Sequence, residues 1–173
     1  MPAPASPADA FIAYWSQASG GERGNFQKFA IELCALLDVP APEGLKADES
    51  QNDYVFEKKV AFREAGTVGF IDLYKRGCFV LEAKQSRQRA EVSPLQAALS
   101  LEGGTAVRRG GGVHRDAPGW DQFMRAARIQ AESYARALPP DHGWPPFIVI
   151  VDVGHVIELY ADFTGQGKHY AQF

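Results

Sequence analysis

A chain of 173 residues, 46% hydrophobic and 23% charged, is long enough to bury one sizeable core and reads as a single domain over residues 1–173. Its net charge of −3 supplies no global positive field for nucleic acid, so DNA affinity has to come from local patches or from another domain. No run of about 18 apolar residues marks a membrane span, and the start MPAPASPADA lacks a basic region followed by a hydrophobic stretch, so the expected setting is cytoplasmic with no membrane partner.

Ser6-Pro7-Ala8-Asp9 combines a capping side chain, a proline at the first helical position and an acid in the first turn, which opens a short helix carrying Phe11, Tyr14 and Trp15. Gly20-Gly21 ends it. A second helix over 22–37 aligns Phe26, Phe29, Leu33, Leu36 and Leu37, with Glu32 at the edge of that face and Pro40 beyond the helix end. Residues 40–53 are polar and turn-rich, 54–62 read as a strand, and Ala65-Gly66 as a turn.

The stretch FIDLYKRGCFVLEAK, residues 70–84, reads as a β-hairpin closed by Lys75-Arg76-Gly77, where glycine can take a positive φ. If Tyr74 pairs with Cys78, Asp72 faces Val80, Phe70 faces Glu82, and Asp72 lies diagonal to Glu82. Side-chain alternation then sends Asp72, Glu82 and Lys84 to one face and Ile71, Leu73, Phe79, Leu81 and Ala83 to the other.

Periodicity collapses after Lys84. The segment 85–118 contains Gly103-Gly104 and Gly110-Gly111-Gly112, leaves room for a short helix near 94–101, and is expected to be a mobile or functional loop. It is locally basic, with Arg87, Arg89, Arg108, Arg109 and Arg115 against Glu91, Glu102 and Asp116, and these arginines are candidates for tracking DNA phosphates. Residues 120–138 form an amphipathic helix with Trp120, Phe123, Met124, Ala127, Ala131 and Tyr134 on one side, and Gln130 and Tyr134 one turn apart. Pro139-Pro140 ends it, and the runs 147–153 and 155–160 form a closing strand pair around Gly154. This order gives an α/β (α+β) fold, a mixed central sheet of about 4–5 strands flanked by helices.

Two carboxylates a few ångströms apart on adjacent strands repel unless a divalent cation lies between them, and hard oxygen ligands with open positions suit Mg²⁺, with Mn²⁺ as a substitute. Such a cation at Asp72 and Glu82, with the Ala83 backbone carbonyl as a further ligand, would polarise a scissile phosphate, while Lys84 orients water or offsets developing charge. Without a metal, Lys84 forms a salt bridge with Glu82 or Asp72. Glu32 and Glu57 are candidates for an extra carboxylate, although a solvated helix glutamate is the ordinary account of Glu32. His114, His142, His155 and His169 show no metal-type spacing and read as surface or loop residues, His114 lying in the basic segment. Cys34 and Cys78 likewise read as buried reduced thiols.

Asp72, nine intervening residues and then Glu82-Ala83-Lys84 resemble the PD-(D/E)xK nuclease signature, and QAESY, residues 130–134, resembles the QxxxY helix of RecB-like members. More closely, GCFVLEAKQ, FIAYWSQASGGERGNFQKFAIELCALLDVP and VDVGHVIELYADFTGQGKHYAQF resemble the N-terminal region of MmeI-like (type IIL) restriction-modification enzymes. The resemblance implies a restriction-endonuclease-like core. It also implies metal binding by Asp72 and Glu82, hydrolysis assisted by Lys84, and bracing by Gln130 and Tyr134. The proline that names the motif is absent, Ile71 standing before Asp72.

In that family a nuclease domain precedes a helical spacer, an adenine-specific methyltransferase and a target-recognition domain. The chain lacks a Gly-rich S-adenosylmethionine loop and an NPPY-type motif, so S-adenosylmethionine is expected only in the methyltransferase part of a longer polypeptide. The implied activity is Mg²⁺-dependent cleavage of double-stranded DNA, with self-association for cutting both strands. The alternative is a catalytically inactive nuclease-fold module that binds DNA or protein and docks a methyltransferase.

Overall fold

Ser6 starts the first helix, α1 (Pro7–Ser16), by a reciprocal cap. Its hydroxyl accepts the Asp9 N–H at 3.2 Å while the Asp9 carboxylate accepts the Ser6 N–H at 3.1 Å. This computed structural model describes residues 6–18, 22–62, 66–86, 119–166 and 169–173. Helix α2 (Glu22–Leu36) follows, then strands β1 (Tyr54–Phe62), β2 (Thr67–Lys75) and β3 (Phe79–Lys84), helix α3 (Trp120–Ala137), and strands β4 (Phe147–Asp152), β5 (Val156–Ala161) and β6 (Ala171–Gln172). No helix among the described residues is long and apolar enough to cross a membrane.

The described strands form one six-stranded sheet in the order β1-β2-β3-β4-β5-β6. Every neighbouring pair is antiparallel except β3 and β4. The fold is thus mixed α/β, as expected, with one strand more than the sequence indicates: β6 has two residues and is too short to leave a periodic signature.

Period-two alternation divides the core into two layers. Tyr74, Val80, Ile148 and Ile150 face α3 and pack with its Met124, Ala127, Ala131 and Tyr134. Leu73, Leu81, Ala83, Val151 and Val153 face the other way and pack with Trp15, Phe26, Phe29 and Ala30 of α1 and α2. Because β3 and β4 run parallel, their carboxyl ends, Lys84 and Asp152, lie side by side on one edge of the sandwich. In open α/β sheets such an edge is where ligands gather.

At the other end of β3, Tyr74 stacks on His142 with ring centroids 5.7 Å apart, and its hydroxyl meets His142 Nδ1 at 2.7 Å. His142 is therefore a buried core histidine rather than a surface or loop residue, while His155 and His169 are exposed. Cys34 is a buried free thiol, as expected, whereas Cys78 is only half-buried at the hairpin tip. The expected helix near 94–101, His114, and Arg87, Arg89, Arg108, Arg109 and Arg115 fall outside the described residues.

Candidate functional site

The β2–β3 connection is a tight turn whose Lys75 carbonyl accepts the Cys78 N–H at 3.0 Å, with Gly77 at φ +64°. The pairs are Tyr74 with Val80 and Lys75 with Phe79, two residues along from the expected Tyr74–Cys78 register. The loop is Arg76-Gly77-Cys78, because the Cys78 carbonyl accepts the Phe147 N–H of β4 at 3.2 Å and is not available to β2. A shift by two preserves the facing of β3 side chains, and the ladder ends at Leu73 with Leu81, one residue short of Asp72 and Glu82.

A second departure lies at Asp72 itself. Ile71 packs on the α3 layer whereas Leu73 packs on the α1/α2 layer, so β2 turns over between them and the single apolar face expected for Ile71 and Leu73 does not form. Strand β1 does the same: Phe56 packs toward α2, and Val60 and Phe62 toward α3. The ladder between the two strands omits the Glu57 and Asp72 positions, pairing Phe56 with Leu73 and then Lys58 with Ile71. Glu57 adopts φ +52°, a left-handed conformation that costs a non-glycine residue about 1–2 kcal/mol. Strain of this kind concentrates at functional sites.

Freed from either face, the Asp72 carboxylate crosses to β3, where its Oδ2 accepts the Ala83 N–H at 2.7 Å. The Cys78 carbonyl accepts from Phe147 at the start of β4 and the Lys84 carbonyl from Val153 just past its end, so by alternation the intervening odd-numbered residues of β3 turn their N–H and C=O toward β2. The Ala83 carbonyl thus points into the same gap that Asp72 enters. Glu82 is 2% exposed on the α3 side, and its Oε1 receives the Lys84 ammonium at 2.5 Å.

The two carboxylates and the carbonyl are hard oxygen donors, the chemical type that suits a small divalent cation completing its shell with water or phosphate. Among the described residues, no group of three or more His, Cys, Asp or Glu side chains gathers as a metal cluster. Glu32 is engaged elsewhere, accepting the Trp15 indole N–H at 2.9 Å and pairing with Lys28 at 3.5 Å where α1 meets α2.

Gln130 and Tyr134 sit one turn apart on α3, and the Gln130 amide donates to the Tyr134 hydroxyl at 3.0 Å. The Tyr134 ring lies directly over Gly69 of β2, where a methyl group would stand 2.5 Å from its Cε1 and 2.9 Å from the Phe62 ring. Gly69 therefore lets α3 approach the sheet, a role its position in an apolar strand gives no means of reading from sequence.

Asp152 carries little signal in the sequence. It is 0% exposed at the end of β4, beside Lys84 in the parallel pair. Its Oδ1 accepts the Ser86 N–H at 2.8 Å, and its Oδ2 accepts the Ser86 hydroxyl at 2.5 Å and the Trp120 indole N–H at 2.9 Å. Its only sequence signal is an acid closing an apolar strand run.

Residues 6–173 match the family model described as MmeI, N-terminal domain. No curated protein and no solved structure matches the chain.

Proposed function

The chain belongs to the family of MmeI N-terminal domains, and from that membership we propose that it is the Mg²⁺-dependent endonuclease domain of a restriction-modification enzyme, hydrolysing phosphodiester bonds of double-stranded DNA. The observation that carries this reading is the reach of Asp72 across to the Ala83 N–H, which brings one carboxylate to the strand that bears Glu82 and Lys84. Salt-bridged hairpins do not need a strand to turn over in order to deliver a carboxylate to its neighbour.

In this scheme Asp72, Glu82 and the Ala83 carbonyl would hold Mg²⁺. Once bound, the cation supplies Lewis-acid polarisation of the phosphodiester. Lys84, steadied by Glu82, presents its ammonium to a phosphate oxygen and offsets the negative charge that grows there in the transition state. Gln130 and Tyr134 brace the helix that closes the α3 side of the site. Sequence readout needs base-edge contacts and is assigned to a target-recognition domain of the same polypeptide, alongside a methyltransferase that uses S-adenosylmethionine. Cutting both strands would then require two copies of the domain on one DNA, in the cytoplasm.

The test is cleavage of plasmid DNA by the full-length polypeptide, with and without Mg²⁺, in wild type and in Lys84→Ala. Mg²⁺-dependent cutting that disappears in the variant is the expected result. Cutting of equal rate in both would overturn the assignment. Failure of the wild type to bind Mn²⁺ or Ca²⁺ by calorimetry would favour an inactive nuclease-fold module.

A further inference from the structure

A lysine side chain has four rotatable bonds, so an ammonium that must meet one phosphate oxygen depends on how firmly its backbone is held. The two residues that follow Lys84 are held from opposite sides. The Gln85 side chain accepts the Asn25 amide of α2 at 3.2 Å and donates to the Ala18 carbonyl at the end of α1 at 3.3 Å. Ser86 is held by both carboxylate oxygens of Asp152, which also takes the Trp120 indole N–H. Between them, the Lys84 carbonyl accepts the Val153 N–H at 2.9 Å.

Asp152 is the costly member of this arrangement. A carboxylate with no exposed surface is stable only when donors satisfy it, and an apolar residue of similar size at the end of β4 would give the core a lower desolvation penalty. Three donors converge on it, and they come from the residue that ends the Lys84-Gln85-Ser86 run and from the first residue of α3. What the buried charge supplies is therefore a fixed junction of β3, β4 and α3 at the position where Lys84 emerges.

We propose that Asp152 is a positioning residue of the nuclease site, acting through Ser86 to hold the backbone that carries Lys84; this rests on the proposed endonuclease function. Asp152 itself touches neither substrate nor metal. Its removal lowers kcat and leaves DNA affinity unchanged.

The experiment is steady-state cleavage at saturating Mg²⁺ by the full-length polypeptide, comparing wild type with Ser86→Ala, Ser86→Thr, Asp152→Asn and Lys84→Ala. Ser86→Ala deletes one hydroxyl, and Asp152→Asn turns an amide N–H₂ against at least one of the three donors, whichever way the amide is oriented. Both should lower kcat by about 10–100-fold, the range of outer-shell substitutions, with KM for DNA within about 2-fold of wild type. Ser86→Thr, which keeps the hydroxyl, should restore the Ser86→Ala loss. If Asp152→Asn fails to fold, the serine pair decides.

Wild-type kcat in Ser86→Ala, a loss not restored by threonine, or a loss confined to KM or matched by a fall in Tm would overturn the proposal. An inactive Lys84→Ala beside fully active Ser86→Ala would refute the role of Asp152 and leave the endonuclease reading standing. An active Lys84→Ala would refute the endonuclease reading and the Asp152 role together.

Discussion

Asp72 of β2 and Ala83 of β3 are joined by a 2.7 Å hydrogen bond from the Ala83 N–H to Asp72 Oδ2, at the point where the ladder between their strands has ended. A side-chain carboxylate here takes the place of a backbone carbonyl, so β2 can diverge from β3 without leaving that N–H buried and unsatisfied. The divergence opens the gap into which the Ala83 carbonyl points.

Asp72→Asn separates the structural from the chemical role of this carboxylate. Asparagine keeps an oxygen that accepts the Ala83 N–H, so unfolding free energy should stay within about 1 kcal/mol of wild type by denaturant titration. The lost charge should weaken Mn²⁺ binding at least about 10-fold by calorimetry. Unchanged Mn²⁺ affinity would remove Asp72 from the metal site.

The Glu82–Lys84 pair is buried, with side-chain exposures of 3% and 17%. Taking the ammonium away by Lys84→Met removes the cation that Glu82 Oε1 accepts from and should destabilise the domain by about 3–5 kcal/mol. Glu82→Gln combined with Lys84→Met should recover most of that loss while remaining inactive. Urea denaturation of the two single variants and the double variant measures the coupling; additive losses would show that the pair does not act as a unit.

Gly69→Ala places a methyl group against the Tyr134 and Phe62 rings. Overpacking of this sort should cost about 1–3 kcal/mol. Because the displaced ring carries the hydroxyl that Gln130 holds, cleavage should fall as well, even at temperatures where the variant is folded. Thermal denaturation alongside a cleavage assay checks both; a variant as stable as wild type would mean that α3 accommodates the methyl group.

Burial, and next the Arg76 guanidinium, push the His142 imidazole below its usual range; Asp141 and Asp53 pull it up, and Lys58 lowers it further. The folded protein thus holds His142 neutral, able to accept the Tyr74 hydroxyl at Nδ1, whereas the unfolded chain takes up a proton near pH 6.5. With the unfolded state binding more protons, this contribution to stability is complete above about pH 6.5 and is lost as pH falls from there through the folded-state pKa. In His142→Asn, whose side-chain oxygen can still accept from Tyr74, the fall in Tm between pH 7.5 and 5 should be shallower than in wild type by calorimetry. Parallel curves would mean that another group sets the acid limb.

The sequence by itself determined the elements and the chemistry they carry. The Ser6 cap, the strand over 54–62, the helix from Trp120 and the hairpin with its two carboxylates and lysine all rest on signals that span a few residues: capping pairs, a turn glycine, period two or period 3.6. The family could also be read there, because GCFVLEAKQ and the flanking runs are contiguous text.

Tertiary structure decided the rest, because it depends on groups far apart in the chain. The hairpin register moved by two when the Cys78 carbonyl was taken by Phe147, 69 positions later. The turnover of β2 at Asp72 answers the left-handed backbone of Glu57 on the neighbouring strand. Ser86 and Asp152 meet across 66 positions, and Tyr74 and His142 across 68, so no local pattern marks either acid or histidine as anything but ordinary. Alternation along a strand tells which side chains share a face, but only the partner strands tell where that face begins, where it turns over and which buried charge holds its end in place.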